Sequence, residues 1–177
     1  MFCVIFLEKH DSFIFFVEIM KHLLPILFIL SLAAVADDFT FRVRMDNAQI
    51  EEVILGCSAK ATDQYDKGLD IYAPPMSMGT AIAGLLLDRQ SQMILYKDIR
   101  ADKLPQAWLL DCKLSQKKPL TLSWQPDKLP KDLLCTIQMP KQQPLDMRKA
   151  NRCKVNENGI VVITFTKTPT EKTSEQK

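Results

Sequence analysis

The chain has 177 residues, with 23 Lys and Arg against 21 Asp and Glu, a net charge of +2, and 47% hydrophobic side chains. This is the length of one ordinary domain with enough apolar material for a core, and the charge is too small and too dispersed to point to nucleic acid. The only histidines are His10 and His22. Both fall in the N-terminal leader, so the body of the protein has no means to build a Ser-His-Asp or Cys-His arrangement or a histidine zinc site.

Residues 1–19, MFCVIFLEKHDSFIFFVEI, are apolar in patches but broken by Glu8, Lys9, His10 and Asp11. That break prevents the run of about 20 apolar residues that a spanning helix requires, and the segment reads as a gene-model extension ahead of a start at Met20. Residues 20–36 read as a signal-peptide helix. Lys21 and His22 form its basic head, Leu23 to Leu32 its apolar run, and Ala34-Val35-Ala36 a small-x-small cleavage pattern before Asp37. The apolar stretch is too short for a membrane anchor, so the expected location is the periplasm or the extracellular medium. Removing the leader's charged residues leaves a net charge of about +3, and no basic run exceeds Lys117-Lys118. A lipidation site at Ile54-Leu55-Gly56-Cys57 is rejected, because Arg42, Arg44, Asp46, Glu51 and Glu52 separate it from the apolar run.

From 37 to 166 the chain reads as short strands. Phe39, Phe41, Val43 and Met45 alternate with Thr40, Arg42 and Arg44, the period of a half-buried strand. Further strands are expected at 53–57, 79–87, 92–97, 107–114, 120–125, 133–139, 152–155 and 160–166. Asp88-Arg89-Gln90-Ser91 is a polar turn, and Asn156-Glu157-Asn158-Gly159 carries an Asn-Gly turn signal. No segment has a sustained helical period with caps. The expected fold is therefore an all-β, antiparallel, immunoglobulin-like β-sandwich, followed by a disordered tail at 167–177 that has no apolar residue to bury. Cys57, Cys112, Cys135 and Cys153 make an even number of cysteines in an exported domain, for which two disulfides are the default expectation. Of three connectivities the preferred one pairs Cys135 with Cys153 and Cys57 with Cys112. Each bridge would contribute roughly 3–4 kcal/mol.

The stretch ATDQYDKGLDIYAPP, residues 61–75, is the most distinctive. Asp63, Asp66 and Asp70 place three carboxylates around Gly68 ahead of a Pro-Pro step. Such an oxygen-rich loop suits Ca2+. The structural alternative, aspartates that accept backbone N–H bonds and cap turns, is favoured because the spacing does not fit an EF-hand. Tyr65 and Tyr72 in the same loop are the surface candidates for stacking on a ligand. Trp124 shares a face with Leu120 and Leu122, and Trp108 sits beside Leu109 and Leu110, so both tryptophans are expected in the core.

This stretch, followed by Asp98-Ile99-Arg100, Trp108, the Leu120–Trp124 strand, Leu129-Pro130 and Asp146-Met147-Arg148, resembles a recurrent module of exported prokaryotic proteins. That module has an ATDGYDxGxD-type segment, prolines, a DxR step and a Trp-bearing strand, and often precedes a dockerin or a type IX secretion sorting domain. The resemblance covers about 56–165 and implies a secreted β-sandwich with no established activity. The chain departs from it in the four cysteines it carries after the leader and in lacking room for a sorting or docking domain, which favours a small free-standing protein.

The expected function is non-enzymatic: binding or interaction with an envelope protein or a polysaccharide, with no nucleic acid or membrane partner. The alternatives are a carbohydrate-binding module using the loop aromatics, or a glycoside hydrolase drawing on Glu51, Glu52, Asp63, Asp66 or Asp70. No cofactor is expected apart from the Ca2+ option.

Overall fold

The computed structural model describes residues 38–75, 81–115 and 118–168, which belong to one compact unit of the chain. The segment expected to form the leader and its signal-peptide helix, and the tail from 169, lie outside the described residues. Eleven strands are present among the described residues: β1 (Phe39–Asp46), β2 (Glu52–Ser58), β3 (Ile71–Tyr72), β4 (Ile82–Leu86), β5 (Ile94–Ala101), β6 (Gln106–Lys113), β7 (Leu120–Ser123), β8 (Leu133–Gln138), β9 (Leu145–Asp146), β10 (Arg152–Val155) and β11 (Gly159–Lys167). A single 3₁₀ turn, Pro126–Lys128, follows β7. No described helix is long and apolar enough to cross a membrane.

The alternation read from the sequence carries the fold. On β1, Phe41, Val43 and Met45 are buried while Thr40, Arg42 and Arg44 face out. Trp108, Leu110 and Cys112 on β6, Cys135 and Ile137 on β8, and Val161, Ile163 and Phe165 on β11 complete the same core. Asp88 caps the turn after β4 as expected: its Oδ1 accepts from the backbone N–H groups of Gln90 and Ser91.

The strands form one continuous sheet in the order β10-β7-β1-β2-β5-β4-β6-β11-β8-β9, with β3 added on β5. The sheet is mixed, which corrects the expectation of a wholly antiparallel fold. β2 and β5 run parallel, with Ile54 opposite Lys97 and Ser58 opposite Ala101. The physical reason is the connection: the chain leaves β2 through the 61–75 loop and re-enters beside it only after a crossover that contains β3 and β4, and a crossover of that length permits parallel pairing. The Asn-Gly turn likewise joins strands that are not partners. β10 pairs with β7, whereas β11 pairs with β6 and β8.

The sheet curls over its own face. Phe39 of β1 stacks on Phe165 of β11 at 5.4 Å and Phe41 meets the same ring edge-on at 6.0 Å, although four strands separate β1 from β11 in the order. The ends of the path are tied by Trp124, whose indole N–H donates to the Met147 carbonyl after β9 and whose backbone N–H donates to Asn151 before β10. At the far end Lys167 closes β11, and the Thr168 hydroxyl donates to the Asp132 carbonyl, so the first two residues of the expected tail are held.

The disulfide expectation is overturned: Cys57, Cys112, Cys135 and Cys153 are all free thiols. Neither expected pair sits on neighbouring strands, since β5 and β4 intervene between Cys57 and Cys112, and β8 and β10 do not pair. Cys57, Cys112 and Cys135 lie on inward positions of the alternation and pack as small apolar side chains. Burial pushes the thiols of Cys57 and Cys112 up to about 12 and those of Cys135 and Cys153 up to about 11.

Candidate functional site

The 61–75 loop folds around its own aspartates. Asp66 Oδ2 accepts from the Thr62 backbone N–H at 2.5 Å and from its hydroxyl at 3.0 Å. Asp70, 3% exposed, accepts from the Asp66 N–H through Oδ2 and from the Ile99 N–H of β5 through Oδ1, which pins the loop to the sheet. Asp63 accepts from Gln106 Nε2 through one oxygen and pairs with Lys103 through the other. Burial alone would raise the Asp63 carboxyl, but the hydrogen bonds from Lys103 and Gln106 and the neighbouring cations hold it below its ordinary value. Gly68, at φ +97°, supplies the left-handed turn between the acids. The three carboxylates therefore face separate amides and a lysine and do not converge on a common point. Among the described residues no group of three or more His, Cys, Asp or Glu side chains is arranged to hold a metal.

The same loop brings Tyr65 and Tyr72 together, with ring centroids 4.5 Å apart and planes inclined by 19°. The rings cover each other, so they do not lie side by side as an open platform for a sugar. Tyr72 remains 47% exposed, and its hydroxyl donates to Met93 Sδ at 3.5 Å. Trp108 and Trp124 are buried in the core, as the sequence pattern predicts. The Trp108 indole N–H donates to the Asp98 carbonyl.

Behind the loop, Asp98 and Arg100 of β5 form a buried ion pair at 2.9 Å. Arg100 also donates to the carbonyls of Ala107, Leu86 and Leu87 and lies 5.9 Å from the Trp108 ring. Asp98 is 1% exposed, and its Oδ1 has no partner. Burial pushes its carboxyl up to about 6 against the opposing pull of Arg100. The Asp-Ile-Arg step singled out in the sequence is thus a structural clasp between β5 and its neighbours.

An open concavity among the described residues lies elsewhere, on the outer face of β10, β7, β1 and β2. It is a groove of about 700 Å³ whose lining includes Arg42, Arg44, Glu52, Lys128 and Arg152. The pleat explains the composition, because the outward positions of β1 are Thr40, Arg42 and Arg44, and the inward ones feed the core. Register then aligns Arg152, Ser123, Arg44 and Glu52 in one row across four strands. Thr40, Gln125 and Asn151 add uncharged hydrogen-bonding groups to the lining. Arg42 is paired with Glu52, whereas Arg44, Lys128 and Arg152 form no ion pair among the described residues. Among the described lining residues, four cations against one carboxylate make the groove electropositive. Sequence reading missed this site because its cations are scattered from 42 to 152. The one local signal was the outward Arg42/Arg44 pair on a strand whose other face is apolar.

Compared with protein-family models, with curated proteins and with solved structures, the chain matches none.

Proposed function

We propose that the protein is an exported, non-catalytic binding protein whose ligand lies in the groove over β10, β7 and β1. The groove carries this reading: its volume of about 700 Å³ falls within the span of ligand sites, and its floor is hydrogen-bonded strand. Glu52 is the one carboxylate among the described lining residues and is engaged by Arg42, whereas glycoside hydrolysis requires two acidic groups facing across the bond to be cleaved. The class of partner stays as the sequence frames it, an envelope polysaccharide or protein. The site moves from Tyr65 and Tyr72, whose rings cover each other, to the cationic face. The curl of the sheet supplies two facing layers of one core, which supports the finer description as a sandwich of immunoglobulin-like type, and the likeness of 56–165 to an exported module supports the same class.

Two measurements test the proposal. Expression of the full chain in a bacterial host should yield an exported product that begins at Asp37. Retention of an uncleaved chain in the cytosol contradicts export. Titration of the product with an array of neutral and charged oligosaccharides, followed by backbone NMR, should shift the amides of 40–44, 123–125 and 151–152. Shifts confined to 65–72 would return the site to the tyrosine loop, and an array without any binder removes the polysaccharide reading.

A further inference from the structure

We infer that the groove is an oxyanion clamp: Arg44 and Arg152 grip a carboxylate or sulfate of an acidic oligosaccharide from the two sides of Ser123, and Glu52 restrains Arg42 from joining them. The inference rests on the binding-protein reading and adds the ligand's chemistry. Arg44 and Arg152 stand in register on the strands flanking Ser123 of β7. Their backbones are therefore about 10 Å apart, two interstrand spacings, within reach of one another's guanidinium groups over the hydroxyl between. A guanidinium presents a planar fork matched to oxyanions, and these two, with no carboxylate partner among the described residues, are free to take one. Lys128 adds a third cation to the lining. Asp46 on the same face of β1 lies one row further along, in register with Thr121 and Lys154, outside the lining.

Three observations favour an acidic glycan over other polyanions. The aromatic residues in the described lining, Phe41 and Trp124, are 2% and 5% exposed, so no ring among the described lining residues is available to stack a nucleobase. Among the described residues no exposed large apolar side chain borders the groove to enter a bilayer, since Ile71, Tyr72, Met93 and Leu134 all lie outside its lining. Thr40, Ser123, Gln125 and Asn151 are instead suited to the hydroxyl groups that surround a charge on a sugar chain.

The test uses the protein purified from cells expressing the full chain and four probes: alginate hexamer for carboxylate, dextran sulfate for sulfate, dextran as the neutral chain, and an oligo-dT single strand. Binding to alginate or dextran sulfate, absent for dextran and weakening steeply with salt, is expected, and whichever binds identifies the oxyanion. Arg44→Ala and Arg152→Ala should each weaken binding about tenfold, while Glu52→Gln should tighten it about twofold to threefold by releasing Arg42. The side chains are at the surface, so unchanged circular dichroism and melting temperature confirm that each variant folds. Equal binding of dextran overturns the clamp and leaves the binding-protein reading standing. Tighter binding of oligo-dT than of both acidic glycans overturns the glycan, and loss of affinity in Glu52→Gln overturns the restraint. No response from any probe removes the clamp, and the NMR array then decides the fate of the wider reading.

Discussion

Asp98 brings a carboxylate into the interior and leaves one of its oxygens without a partner, while the other faces Arg100. With its folded carboxyl raised to about 6 from an ordinary 3.8, the native state holds that proton more tightly than the unfolded chain does. The resulting stabilisation is complete below about pH 4 and is lost as pH rises through 6, an effect on the order of 3 kcal/mol. Asp63 shifts in the opposite direction, so the informative quantity is a difference between variants. The melting temperature of the wild type minus that of Asp98→Asn should fall steadily between pH 4 and pH 7. Parallel curves would show that Asp98 titrates normally. The cysteines obey the same arithmetic of burial. Their raised thiols predict slow reaction with a thiol reagent under native conditions, Cys153 first because it is the partly exposed one, and four labelled thiols after unfolding of the product that begins at Asp37 and lacks Cys3. A reductant should leave the melting temperature unchanged, and a drop of several degrees would contradict the free-thiol structure.

At the scale of elements, the tightest restriction is the approach of β1 to β2. A Cβ on Gly56 would stand 2.1 Å from the Phe39 carbonyl oxygen, a backbone atom that moves only if the strands part. Gly56→Ala should therefore cost more than about 2 kcal/mol, read as a lowered denaturation midpoint. A variant as stable as the wild type would mean that the strands are further apart than described. The strands themselves were legible from alternation alone: the outward arginines of β1, the inward tryptophans of the core and the Asp88 turn were all readable locally. β3 and β9 were not. Each is two residues long, set among prolines and acids, and held in place by its partner rather than by its own pattern. The aspartate loop was half legible, because its turn-capping alternative followed from residue type, but the Asp70 bond to Ile99 required knowing that β5 passes behind it.

For the molecule as a whole, the order of strands converts dispersed residues into a groove. Residues 42, 44, 123, 128 and 152 have no local relation in the chain, and the groove exists only because β1 chose β7, and β7 chose β10, as neighbours. The parallel pairing of β2 with β5 and the unpaired cysteines have the same origin. By itself the sequence determined where the longer strands lie and which face of each is apolar, and it leaves the chain after His22 without a histidine. Those are properties of period-two patterning and composition, and they act over a few residues. The tertiary structure alone decided strand adjacency, the free state of the thiols and the alignment of Arg44 and Arg152 on either side of Ser123, because these depend on how the whole chain buries its apolar faces at once.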